Sequence, residues 1–509
     1  MKLRTKCVVL AVLPVVALLL MPANSSHADS RNNILTVGMG NEPFTLAPAN
    51  GLAGTDYPIL YSLFDRLVDF EPATLELKPG LATEWKFVGD DKLTFDMTIR
   101  DGVQFHDGTP LNAEAVRASL QYFKDSKRID DLNVVTSIEV VGPNQVRLKL
   151  ARQYSVLPAV LADRAGMIVS PTALAKLGKD FARNPVGAGP FMFKSWSSGT
   201  TLDLVKAPTY WDASKIKLNG IQYRFIPNPS SLASALISRQ VDHAFRLDPN
   251  NFPALKATPH LRVATEPSTA YFQMSLNTSM SPLDNRLVRQ AINMSINRQA
   301  LSDAVLGQGL SMPTLMPVPI GSHAHTPELQ NSVKYDPAKA KALLAQAGYP
   351  DGVTIKICAT PMAGYGTDIT DIEQAQMKAA GITLDVTVMT GSACLQTFDS
   401  KKVFHAWQGS FSGRPDPYLT YAQNFGSTGQ YNRGKINYPG VDALLEKLLT
   451  VYNWNDQKAI YAELNRKWIE DVPTILLFYR QNYVVYNKNL GGEEPNLQGK
   501  NNLVRMFYK

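Results

Sequence analysis

The chain has 509 residues, 45% of them hydrophobic and 19% charged, enough for about three domains at roughly 150 residues each. That apolar fraction excludes a chain disordered along most of its length, and 33 Gly with 33 Pro exclude a collagen-like or low-complexity one. The net charge of +7 falls to +4 beyond Lys2, Arg4 and Lys6, a balance that lacks the clustered basic stripe of a nucleic-acid binder.

Those three cations open an N-terminal address. The apolar run Val8 to Met21 follows, and Ser26-His27-Ala28 offers a small-x-small cleavage site. The run is too short for roughly 30 Å of hydrocarbon, so residues 1–28 are read as a cleaved signal peptide. The mature chain then starts near Asp29 and is exported, soluble, to the periplasm. Cys7 precedes the apolar run and does not suit a lipoprotein acceptor.

Trp85 and Phe87, a turn at Gly89-Asp90-Asp91, and Leu93, Phe95, Met97 and Ile99 predict a β-hairpin. Asp101-Gly102 and Asp107-Gly108 mark two further turns. Asn112 suits the N-cap of a helix with Val116, Leu120 and Phe123 on one face. A second helix follows Asp284, with Val288, Ile292 and Ile296 inward. A third is bounded by Asp336, Pro337 and Gly348, with Leu343 and Leu344 inward. Val353–Ala359 and Ile382–Val388 alternate as strands around a helix over 367–380, a strand-helix-strand unit whose strands are parallel neighbours. Late helices fall at about 441–450 and 456–470. The class is α/β.

Cys358 and Cys394 both fall at or beyond carboxyl ends of that unit's strands, so a disulfide and two separate buried thiols are both open. Motifs for chemistry are scarce. There is no phosphate loop, G-x-S-x-G elbow or H-E-x-x-H. His323 and His325 sit in a Pro/Gly-rich stretch, and His106-Asp107 in a turn. No cofactor is expected.

Several segments, in order, resemble the family 5 extracellular solute-binding proteins, the dipeptide, oligopeptide and nickel receptors of ABC importers. They are Leu60 to Val68, Pro79-Gly80-Leu81-Ala82, Arg100 to Leu111, Asn184 to Phe191, Tyr210-Trp211, Arg286 to Ile292, and Ala338 to Gly352. The resemblance implies a bilobal periplasmic-binding-protein type II fold with an additional inserted domain. Lobe one would comprise 29–69, 184–272 and 480–509, the extra domain 70–183, and lobe two 273–479. Crossings between lobes would fall near Tyr271–Asn277 and Phe478–Asn482. It also implies a monomeric, non-enzymatic receptor that takes a peptide or small carboxylate-bearing solute. Closure favoured by the solute would let it dock on ABC permease subunits. The alternative is an exported hydrolase on a similar bilobal fold.

The resemblance also marks candidate solute contacts. These are Glu42 and Phe44 in a loop bordering the cleft, Phe245 and Arg246 in a lobe-one loop, and Tyr271 at the crossing. Trp407 and Ser410 follow in a stretch where the peptide receptors carry an Asp for the α-ammonium, with Arg414 and Asp416 just beyond. Ser410 departs from that pattern, and a charge-assisted contact of roughly 1.5–3 kcal/mol is lost with it. Asp416 is either its substitute or a turn residue. Arg246 and Arg414 either hold a cargo carboxylate or make inter-lobe salt bridges. Tyr57 and Phe411 complete a set of aromatics that either pave the cavity or pack in the core.

Overall fold

The computed structural model describes residues 32–51, 55–128, 130–245, 247–266, 268–307, 312–360, 368–411, 413–494 and 496–509. The signal-peptide reading of residues 1–28 and the candidate Arg246 lie outside the described residues.

Three sheets organise the chain. A seven-stranded sheet runs Leu261–Glu266, Asn482–Asn487, His243–Phe245, Ile34–Met39, Gly220–Phe225, Thr201–Lys206 and Phe191–Ser197. A five-stranded sheet runs Ile382–Val388, Val353–Ala359, Ala406–Phe411, Tyr271–Leu276 and Thr474–Tyr479. A four-stranded antiparallel sheet, Ala82–Val88, Thr94–Ile99, Gln145–Leu150 and Val135–Gly142, lies within the segment between the first and second strands-to-be of the large sheet. The predicted hairpin is the first pair of this small sheet. Its Phe95 and Met97 are buried in the same apolar core as the inner face of the helix Ala113–Ser126.

Local signals explain the helices. The Asn112 side chain accepts a hydrogen bond from Ala115 N at 3.0 Å, and Asp336 accepts one from Lys339 N at 2.8 Å. Gly348, at φ +94°, follows the helix Pro337–Gln346, a left-handed conformation that glycine adopts without steric cost. The helix expected after Asp284 is shorter than its apolar spacing suggested. It spans Arg286–Met294, and Ile296 is buried in the connection to a second helix, Arg298–Leu306. The Asn297 side chain caps that second helix through Ala300 N. A cap residue thus split what the apolar period alone joined. The strands Val353–Ala359 and Ile382–Val388 pair in parallel with the helix Asp368–Lys378 between them.

Two chain segments, each a pair of successive strands, link the large sheets as one antiparallel ribbon. Leu261–Glu266 pairs with Asn482–Asn487 in the seven-stranded sheet, and Tyr271–Leu276 pairs with Thr474–Tyr479 in the five-stranded one. Between them, Arg480 N donates to Ala270 O at 2.7 Å. The first crossing therefore precedes Tyr271 rather than starting there. Tyr271 and Phe272 already pair with Phe411 and Ser410 in the five-stranded sheet.

One apolar core underlies the seven-stranded sheet and the inserted segment, and it extends into the helices Pro417–Asn424, Val441–Leu449 and Trp454–Asp471. A second core, with Met274, Ile292, Ile357 and Leu384, belongs to the five-stranded sheet. No helix of the described residues is long and apolar enough to cross a membrane.

Candidate functional site

A cavity of about 610 Å³ lies where these parts meet. The helix Tyr57–Leu63 presents Tyr57 to it, and the inserted segment contributes Asp131, Tyr154, Asp163 and Arg164. The facing wall comes from the strand Ala406–Phe411, through Trp407, Ser410 and Phe411, and from Asp399, Arg414 and Arg433. Lys500 lines it as well. Both sides of the ribbon therefore contribute to one volume within the ordinary range for a small-molecule site.

Charge is dense on this wall and mostly paired. Arg414 Nη2 donates to Asp131 Oδ2 at 2.7 Å, joining chain segments 283 residues apart. Arg433 Nη1 lies 2.9 Å from Asp399 Oδ2, and Arg164 Nη2 lies 3.4 Å from the fully buried Asp56. The Tyr57 hydroxyl donates to Asp163 Oδ1 at 2.6 Å. Arg164 and Lys500 rest against the Tyr57 ring, 4.2 and 3.8 Å from its centroid, positions in which the ring's negative face attracts a cation. Burial alone would raise the Asp163 carboxyl; Lys500, Arg414, the Tyr57 hydroxyl and Arg164 together hold it down at about 2. For Arg414, burial opposes the charge, but Asp131 and Asp163 outweigh it and hold the pKa above the ordinary guanidinium value.

Of the residues named from sequence, Tyr57, Trp407, Ser410, Phe411 and Arg414 are on the cavity wall. The others among the described residues are placed elsewhere. Glu42 is tied to the hairpin of the seven-stranded sheet: its carboxylate accepts from Trp196 Nε1 at 3.1 Å, Ser198 Oγ at 3.0 Å and Gly199 N at 3.0 Å. Phe44 is 80% exposed, with its backbone N–H on Asp56. Phe245 packs in the core of its sheet. Tyr271 is fully buried one layer behind the wall, stacked on Phe411 with centroids 5.5 Å apart. Asp416 caps the helix Pro417–Asn424 by accepting from Tyr418 N at 2.8 Å, and burial pushes its carboxyl up to about 6. It is a turn and cap residue that does not line this cavity. Arg414, by contrast, makes a bridge across the cavity as well as lining it.

Sequence reading missed Asp131, Asp163, Arg164, Asp399, Arg433 and Lys500. One signal was available. Asp163-Arg164 interrupts the otherwise uncharged stretch Val156–Val169, and adjacent opposite charges inside such a stretch need partners once buried.

Trp407 owes its place to Gly409. A Cβ at Gly409 would lie 2.2 Å from Trp407 Cζ2, so the indole lies flat over a residue without a side chain. Gly409→Ala is expected to displace that ring and to cost about 1–3 kcal/mol, the range for overpacking. Urea denaturation checks this, and an unchanged midpoint would show that the ring moves aside freely.

Cys358 and Cys394 are bonded to each other, with S–S 1.99 Å. Both are fully buried in a small cluster with Phe398 and Phe404, against which Trp407 packs.

The model of the bacterial extracellular solute-binding proteins, family 5 Middle, matches residues 76–433. A glutathione-binding protein, GsiB of Salmonella typhi, is 29% identical over 472 residues, covering 90% of this chain and 91% of that one. Among solved structures, MoaA from A. tumefaciens R10 in complex with mannopinic acid superposes with TM-score 0.81 at 25% identity, over 94% of this chain and 100% of that one. The periplasmic binding protein DppA from Helicobacter pylori, in complex with the peptide STSA, gives TM-score 0.81 at 23% identity, over 93% and 98%.

Proposed function

The chain belongs to the family 5 bacterial extracellular solute-binding proteins, and from that premise we propose that its solute is a small molecule bearing at least one carboxylate, held between the two sides of the ribbon. The protein is the substrate-binding component of an ABC importer and not an enzyme. It binds peptides or small solutes. Delivery to the permease subunits, action in the periplasm after loss of residues 1–28, and a monomeric state complete the proposal.

One observation carries the choice of solute. On the cavity wall, the buried polar side-chain atoms left without a hydrogen bond among the described residues include three donors, Trp407 Nε1, Arg414 Nε and Arg433 Nε. Only one acceptor, Gln273 Oε1, stands beside them. Buried donors of this kind are costly until something accepts from them. Each carboxylate on the wall already has a partner: Asp131 has Arg414, Asp399 has Arg433, and Asp163 has Tyr57. A solute rich in acceptors therefore fits better than one that must bring an ammonium.

Melting curves test this. The panel is glutathione, Met-Leu and mannopinic acid, with the carboxamide of each and the N-acetyl form of the two peptides. Binding to the native state raises stability by about 2.7 kcal/mol at a hundredfold excess over Kd. Acids are expected to shift the curve, N-acetylation to matter little, and amidation to abolish the shift. Amides that shift it as far as the acids, or a panel without any shift, would overturn the reading.

A further inference from the structure

We propose that Lys500 is the anchor for an anionic oxygen of the solute, so that the C-terminal segment carries a specificity-determining cation. This rests on the solute-binding reading above and names the group that meets the cargo's carboxylate.

The argument starts from hydrogen-bond distances. The other buried or half-buried cations on the wall each have a carboxylate within reach: Arg414 at 2.7 Å, Arg433 at 2.9 Å and Arg164 at 3.4 Å. The nearest carboxylate oxygen to Lys500 Nζ is Asp163 Oδ1, at 3.8 Å. That is an ion-pair distance, beyond the reach of a hydrogen bond. The Asp163 oxygen concerned is already taken by the Tyr57 hydroxyl at 2.6 Å. Lys500 is 3% exposed and lines the cavity, and its other close neighbour is the Tyr57 ring, 3.8 Å away. An ammonium carries three donors and accepts nothing. Held against a ring face and a distant carboxylate, those donors are left for whatever occupies the cavity. Were Lys500 there only to neutralise Asp163, direct contact at about 2.8 Å would serve better.

Two further features agree. Burial, aided by the nearby Arg414 and Arg164, outweighs the opposing pull of Asp163 and pushes the Lys500 pKa down to about 8, the direction for an ammonium incompletely compensated. The segment is also rigidly placed. Leu497 N donates to Pro72 O at 2.8 Å, and Thr269 N, in the ribbon crossing, donates to Leu497 O at 2.6 Å. Gly499 takes φ +62°, and a Cβ there would lie 2.7 Å from Ser268 Oγ. The Asn496 side chain closes the turn onto Lys500 O at 2.6 Å. The amine is thus fixed at the point where the chain passes between sheets, and a solute oxygen bound to it would sit at the crossing itself.

The test compares Lys500→Met and Lys500→Gln with the wild type, by calorimetric titration with the acids and carboxamides of the panel above. Circular dichroism of the unliganded variants checks folding, and Lys500→Gln keeps a polar head should Lys500→Met fail to fold. The acid that binds the wild type is expected to weaken about tenfold or more in both variants, a step of about 1.4 kcal/mol per decade. The gap between acid and amide should shrink in parallel. Variants that bind acids within twofold of the wild type, or that weaken acid and amide alike, would overturn the anchor while leaving the solute-binding reading intact. A panel that fails to bind the wild type would overturn that reading and the anchor with it.

Discussion

Asp131→Ala is expected to destabilise the protein by about 3 kcal/mol, at the lower end of what removing one partner of a buried ion pair costs. Asp131 is 8% exposed and Arg414 17%, so neither charge is well solvated. The truncation strands a guanidinium whose Nε already lacks a partner. Asp163 acts on Arg414 as a second, more distant carboxylate, which is why the lower end of the range is the expectation. The pair also holds the inserted segment to the strand-end loop beyond Phe411, across the cavity. Its loss is expected to weaken solute binding and to enlarge the radius of gyration in solution scattering. Replacing both partners, as Asp131→Leu with Arg414→Met, should recover much of the stability, because two buried charges vanish together. Urea denaturation of the three proteins checks the ordering. An Asp131→Ala midpoint equal to that of the wild type would mean that Arg414 finds its compensation elsewhere.

Much of the fold was legible because it is written in local terms. Caps such as Asn112 and Asp336 and alternation such as Val353–Ala359 act within a few residues, and the structure bears them out. The second helix shows the limit of that approach: Ile296 continued an apolar period, but Ser295 and Asn297 ended one helix and began another. The site was half legible. Trp407, Ser410, Phe411 and Arg414 are close in sequence and came together on one wall. Asp131 and Asp163 came from one stretch of the chain and Lys500 from another more than 300 residues further on, joined only by topology, and no spacing records their meeting. Glu42 illustrates the converse. The family resemblance put it in a loop bordering the cleft, yet the hairpin Phe191–Lys206 supplied three donors that claimed the carboxylate.

Replacing Cys358 and Cys394 together with Ser is expected to cost about 4 kcal/mol, the chain-entropy value for a loop of this size. The two residues are 36 apart in sequence, so the reduced unfolded chain regains the freedom that the bond removes. The bond has a second consequence through its location. Cys358 is in register with Trp407 on the neighbouring strand, and Cys394 lies in the short helix Gly391–Leu395, which runs into the helical turn Gln396–Ser400; these two supply Leu395 and Asp399 to the cavity. Asp399 in turn holds Arg433. Cutting the bond therefore loosens one wall at its root, and solute affinity should fall along with stability. Because both sulfurs are fully buried, reductant should act on the native protein only slowly. The double variant should therefore match wild-type protein that was unfolded, reduced and refolded with reductant present. Two measurements decide the matter. Thiol titration of unreduced, denatured protein should find neither Cys358 nor Cys394 free, and urea midpoints should separate the double variant from the wild type. Two free thiols in the first, or coincident midpoints in the second, would remove the bond from any account of how this wall is held.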